Sequence, residues 1–173
     1  TPGPVVVVLP EDLLYGPSDA EPLGPRKKAI TGPAASDAAQ ALDMLRKAEK
    51  PLVIAGGRLH GAEALADFTA FAEEFQLPVA TSQRRFHVFD SRHPNAAGRL
   101  FNRAPKELLD AMHETDLLLV LGERIGPSMS QGFTFPRAPK PDQPMIHVWP
   151  STEEVGRNFQ PELGIGCDPH EFI

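Results

Sequence analysis

Cysteine is almost missing from this sequence: Cys167 is the single one in 173 residues. No internal disulfide can form, which excludes a small secreted fold stapled by disulfides. Long hydrophobic runs are missing too. Nothing approaches the ~20 consecutive apolar residues that a bilayer-spanning helix requires, and no charged-then-apolar leader opens the chain. A soluble, cytoplasmic protein with no membrane partner is expected. Positive charge is in deficit, with 17 Lys and Arg against 23 Asp and Glu and a formal charge of -6. Nucleic acid is therefore not an expected partner, because backbone binding needs basic side chains spread over one face. Proline and glycine, by contrast, are plentiful at 19 and 14 residues, well above their usual combined share of about 12%. Punctuating loops around a real core are expected.

The opening TPGPVVVVLP is a β-branched run between prolines, which reads as a strand buried on both faces. From Pro10 to Pro33 prolines and glycines recur without helical or strand period, so this stretch reads as an extended linker. It is longer than the ~15 residues at which structureless loops become uncommon inside one compact domain. The expected division is therefore 1–33, the end of a preceding domain plus linker, and 34–173, an α/β domain.

Within 34–173 helical and strand patterns alternate. A helix with Ser36 as N-cap covers 36–50, and strand 52–55 follows, ending at Gly56-Gly57. A helix over about 61–76 carries Leu65, Phe68, Ala72 and Phe75 on one stripe. Strand 78–81, an irregular stretch to Pro94, a helix over 105–113 and the apolar strand 116–122 come next. Strand 145–149, a short capped helix near 152–156 and strand 163–166 complete the pattern, and Asp168 to Ile173 reads as the first turn of a helix. Parallel strands joined by helices predict an open doubly wound, Rossmann-like sheet of about five to six strands with helices on both faces. Ligands in such sheets sit at the carboxyl ends of the strands, so the loops after Ala55, Thr81, Leu121 and Trp149 carry the interest.

The turn Gly56-Gly57-Arg58-Leu59-His60-Gly61 occupies the place where a dinucleotide fingerprint lies, but its third position is Arg58, where the pyrophosphate needs glycine. A plain tight βα turn explains these glycines equally well. Between Arg84 and Arg103 lie five arginines, no lysine and one acid, Asp90. That concentration suits an anionic ligand or an acidic partner surface, or else a solvated loop with local ion pairs. His87-x-x-Asp90-x-x-His93 has metal-ligand residue types without a fourth ligand. Cys167 lacks a neighbouring base, Ser128 lacks the glycine of a nucleophile elbow, and Glu73-Glu74 and Glu153-Glu154 read as solvated helix faces. No catalytic grouping is visible.

Taken in order, GPVVVVLPEDLL, AEKPLVIAGG, LPVATS, FDSRHPNAAG, TDLLLVLGERIG and IHVWPSTEEVGRN resemble the middle third of the thiamine-diphosphate-dependent enzymes of the acetolactate synthase and benzoylformate decarboxylase type. The resemblance implies that the first segment closes a pyrimidine-binding domain and that the rest is the central α/β domain. It implies a homo-oligomeric parent lyase or transferase acting on 2-keto acids. Thiamine diphosphate and magnesium would be held by flanking pyrimidine- and diphosphate-binding domains, with no catalytic residue and no cofactor on this chain alone. Some members hold FAD on the central domain, and by that resemblance Gly56, Gly57, Thr81, Arg99, Gly122 and Arg124 match cofactor-binding positions or border the same crevice. Other positions depart from the flavin pattern: an acid and a second arginine are Gly126 and Ser128, the ribose-binding aspartate is Trp149, and a second glycine after Gly98 is replaced in Leu100-Phe101. Poor flavin binding is expected. A nucleotide-binding module for FAD, NAD or ADP is the alternative reading.

Overall fold

A computed structural model describes residues 4–26 and 29–173. Six strands form one all-parallel sheet in the order β3-β2-β1-β4-β5-β6: β1 (Pro51–Ala55), β2 (Val79–Ser82), β3 (Ala96–Leu100), β4 (Leu117–Leu121), β5 (Met145–Val148) and β6 (Leu163–Ile165). The helices are α1 (Glu11–Leu14), α2 (Ala35–Lys47), α3 (Ala62–Glu74), α4 (Lys106–His113) and α5 (Pro169–Phe172). The expected doubly wound sheet is the observed one.

Alternation along the central strands feeds two separate cores. Val53, Ala55, Leu119, Leu121 and Val148 pack with Leu45 of α2 and Phe68 and Ala72 of α3. Leu52, Ile54, Leu118, Val120 and Met145 face the other way, onto Leu108 and Met112 of α4 and onto Ile125, Met129, Phe135 and Phe159. The second face is thus covered largely by the loops on either side of β5 rather than by a second helix, which is where much of the proline is spent. Burial on both faces is why these strands read as continuous apolar runs.

Several boundaries differ from expectation, each for a local reason. Val5 to Leu9 forms no strand and lies exposed, since no strand among the described residues pairs with it. The N-cap of α2 is Ala34; Ser36 sits inside the first turn, its hydroxyl turned to Asp37. Residues 152–156 form turns rather than a helix. β3 was hidden in AAGRL, a sequence without β-branched residues, and is held as a strand by pairing with β2 through an irregular register. The closing turn is as expected: Asp168 caps α5, its carboxylate accepting from the His170 N–H at 3.1 Å.

Candidate functional site

The connections from β1 and β4 leave in opposite directions across the sheet, β1 toward β2 and β4 toward β5. In doubly wound sheets a crevice opens at the carboxyl ends of such a pair. Here the turn after β1 is laced to the end of β4: the Gly56 N–H donates to the Leu121 carbonyl at 2.9 Å and the Arg58 N–H to the Gly122 carbonyl at 3.1 Å. Gly122 has φ +66°, and a Cβ there would stand 2.9 Å from Cβ of Arg58. Backbone conformation and the close approach of the turn both demand glycine.

A cleft of about 700 Å³ lies over this junction, lined among others by Gly57, Arg58, Arg85, Glu123, Arg124 and Trp149. The Arg58 guanidinium carbon is 5.0 Å from the centre of the Trp149 ring and that of Arg124 is 5.6 Å away, both within cation–π range. Arg124 Nη1 donates to Glu154 Oε2 at 3.2 Å, and Arg157 Nη1 donates to the other oxygen of the same carboxylate at 3.5 Å. Arg85 reaches the cleft from the β2–β3 loop and lies directly across Gly57, so a side chain at that position would collide with it.

Glu123 lines the same cleft. Burial pushes its carboxyl above the ordinary range, opposed by the Ser82 hydroxyl, by the Arg124 N–H that donates to it at 3.0 Å, and by the charges of Arg85 and Arg124. The fully buried Ser82 hydroxyl makes no hydrogen bond of ordinary geometry. Behind it His147 on β5 places Nε2 3.0 Å from the Glu123 carbonyl oxygen. In the neutral ring that nitrogen carries the proton, and burial holds the imidazole below its usual pKa.

The six residues singled out in the sequence do not converge. Gly57, Gly122 and Arg124 line the cleft, whereas Gly56 is used by the backbone ladder. Thr81 and Arg99 are register partners on β2 and β3 and line a separate hollow of about 50 Å³ with Phe86, over whose ring the Arg99 guanidinium carbon stands at 4.5 Å. Trp149 lines the cleft with Arg85, which belongs to the arginine-rich stretch read in the sequence, and with Glu123 and Glu154, which were not anticipated. Glu154, read as a solvated helix face, instead gathers two arginines in a loop, with only 18% of its side chain exposed.

The remaining candidates have structural roles. Arg92 grips Asp90 at 2.9 and 3.2 Å, and these hydrogen bonds hold its carboxyl at about 2. His93 turns its Nε2 to Glu73 at 3.0 Å. Among the described residues no three His, Cys, Asp or Glu side chains gather as a metal site. Cys167 is buried, and burial together with the nearby Asp168 charge pushes its thiol up to about 11. Ser128 lies exposed in a turn after β4, and its neighbour Ser130 is buried, donating to the Gly126 carbonyl at 2.9 Å and accepting from the Phe133 N–H.

The thiamine pyrophosphate enzyme central-domain family matches residues 38–173. The chain belongs to that family. It is 31% identical over 170 residues to the sulfoacetaldehyde acetyltransferase of Rhodobacter capsulatus, covering 95% of this chain and 28% of that protein. It is 28% identical over 179 residues to the acetolactate synthase large subunit of Corynebacterium glutamicum, covering 99% and 28%. The sulfoacetaldehyde acetyltransferase of Alcaligenes xylosoxydans xylosoxydans is 31% identical over 127 residues, covering 72% and 21%. The chain spans less than a third of the length of these relatives. The family resemblance read from the six segments therefore holds, and the alternative of a stand-alone nucleotide-binding module is not favoured.

Proposed function

We propose that this central domain is mainly architectural, belonging to a cytoplasmic, homo-oligomeric lyase or transferase that acts on 2-keto acids. In this reading the flanking pyrimidine- and diphosphate-binding domains hold thiamine diphosphate and magnesium and carry the chemistry. The observation that bears most weight is the composition of the cleft within a chain of this family. Its charged side chains are three arginines, Arg58, Arg85 and Arg124, and three acids, Glu123, Glu153 and Glu154, beside one neutral ring, Trp149. A diphosphate with its divalent cation needs a set of oxygen ligands beside the phosphate, and Glu154 is already shared by Arg124 and Arg157. The cleft residues do not fit that group.

Flavin fits little better. By the family resemblance Trp149 takes the position of a ribose-binding acid, and Thr81 and Arg99 line another hollow. The test is an assay of the full-length protein on a panel of 2-keto acids, with and without thiamine diphosphate and magnesium. Decarboxylation or ligation that depends on the added cofactor, by a protein colourless near ~450 nm, is the expected result. Absence of any cofactor-dependent turnover, or tightly bound flavin, would overturn it.

A further inference from the structure

Of the cleft's charged groups, Arg124 is matched by Glu154. Arg58 and Arg85 are different: neither has a carboxylate within ion-pair distance among the described residues. Both stand on the same wall, Arg58 in the β1–α3 turn and Arg85 folded over Gly57. The Gly57 N–H, at the centre of that wall, has no hydrogen-bond partner among the described residues. Two unmatched guanidiniums and a free backbone N–H on one wall of a 700 Å³ cleft form an incomplete set of donors.

We propose that the Gly57–Arg58–Arg85 wall binds a compact phosphate-class polyanion. The anion would be taken free rather than as part of a nucleotide. Guanidinium forks match the paired oxygens of a phosphate group, and the glycine at position 57 lets such a group approach the backbone once Arg85 swings off it. A nucleoside gains nothing comparable here. The cleft's ring, Trp149, already has two guanidiniums beside it, and Glu153, which lines the cleft and makes no ion pair among the described residues, repels a long anion. Glu123 borders the wall, and an arriving anion meets its charge, which the Arg85 guanidinium, turned from Gly57 toward the anion, offsets. This makes Arg85 the more sensitive of the two arginines. The inference concerns a site apart from the cofactor chemistry proposed above and does not depend on the substrate assigned there.

The test is a calorimetric titration of the full-length protein, saturated with thiamine diphosphate and magnesium so that any diphosphate site elsewhere is filled. Inorganic pyrophosphate and ADP are the two probes. Pyrophosphate should bind one-to-one per chain, weaken as salt is raised, and bind at least as tightly as ADP. Arg85→Gln and Arg58→Gln should each weaken it about tenfold or more, while Arg92→Gln, an arginine outside the cleft that pairs with Asp90, leaves it within about threefold of the parent. Should one arginine variant fail to fold, the other and the comparison of the two probes still decide. Failure of pyrophosphate to bind, an unchanged isotherm in the folded arginine variants, or ADP bound tenfold more tightly than pyrophosphate would overturn the proposal.

Discussion

Two five-residue apolar runs in this chain meet opposite fates. Val5 to Leu9 is 65 to 84% exposed, whereas Leu117 to Leu121 is at most 2% exposed. Hydropathy alone hardly separates them. What separates them is neighbours: β4 is flanked by β1 and β5 and covered on both faces by the two cores, while the first run has no partner strand among the described residues. An apolar run is a strand only when its backbone groups find a ladder.

The sharpest way to break this comparison is to truncate one leucine or valine in each run. Leu119→Ala should destabilise the domain by about 2–5 kcal/mol, the cost of a cavity in a packed core. Val7→Ala should fall within about 0.5 kcal/mol of the parent. Denaturant titrations of both variants check this; equal losses would mean that Val5 to Leu9 is part of the same core.

A smaller effect separates two glycines near the crevice. Gly122→Ala forces a Cβ into φ +66° and against Arg58, and should cost about 1–3 kcal/mol. Gly126→Ala, with nothing within 4 Å of the added carbon, should be nearly neutral. Thermal melts distinguish the two.

Acid sensitivity sharpens the contrast between inside and outside. His147 is buried with its pKa lowered by desolvation, so it favours the fold above its unfolded pKa of about 6.5 and costs stability as pH falls below that value. His170 is raised by its hydrogen bond to Asp67 at 2.7 Å, so its contribution is present below about 6.5 and fades as pH rises through its folded pKa. His147→Gln should flatten the loss of stability between pH 7 and 5 (roughly the His titration range), and His170→Gln should steepen it. Urea unfolding at several pH values reads both. The least effect is expected at Cys167, whose buried thiol, pushed up to about 11, should resist a thiol reagent in the native state and react on unfolding.

The sheet was legible because its interior strands carry their burial in their own composition: Leu117 to Leu121 and Leu52 to Ala55 are apolar at every position. Ala96 to Leu100 was not legible, because an edge strand of small and polar residues takes its conformation from β2 rather than from its own propensity. In the cleft, the glycine turn and Trp149 stood out as residues in telling positions. Glu154 did not, and of the five arginines between Arg84 and Arg103 nothing marked Arg85 as the one that reaches the cleft, since each is a long side chain delivered from a loop, and sequence spacing carries no record of where such chains point. Thr81 and Arg99 looked like members of the same site for the opposite reason: both lie at carboxyl ends of strands, yet the strand order puts them two and three strands away from the Gly122 turn.

The central claim is that this domain shapes an enzyme without holding its cofactor. The most direct measurement is calorimetric titration of the 173-residue chain with thiamine diphosphate and magnesium, beside the full-length protein under the same conditions. Binding to the full-length protein and no micromolar one-to-one isotherm with the chain alone is the expected result. A micromolar isotherm with the chain alone would place cofactor binding within these residues and contradict the account.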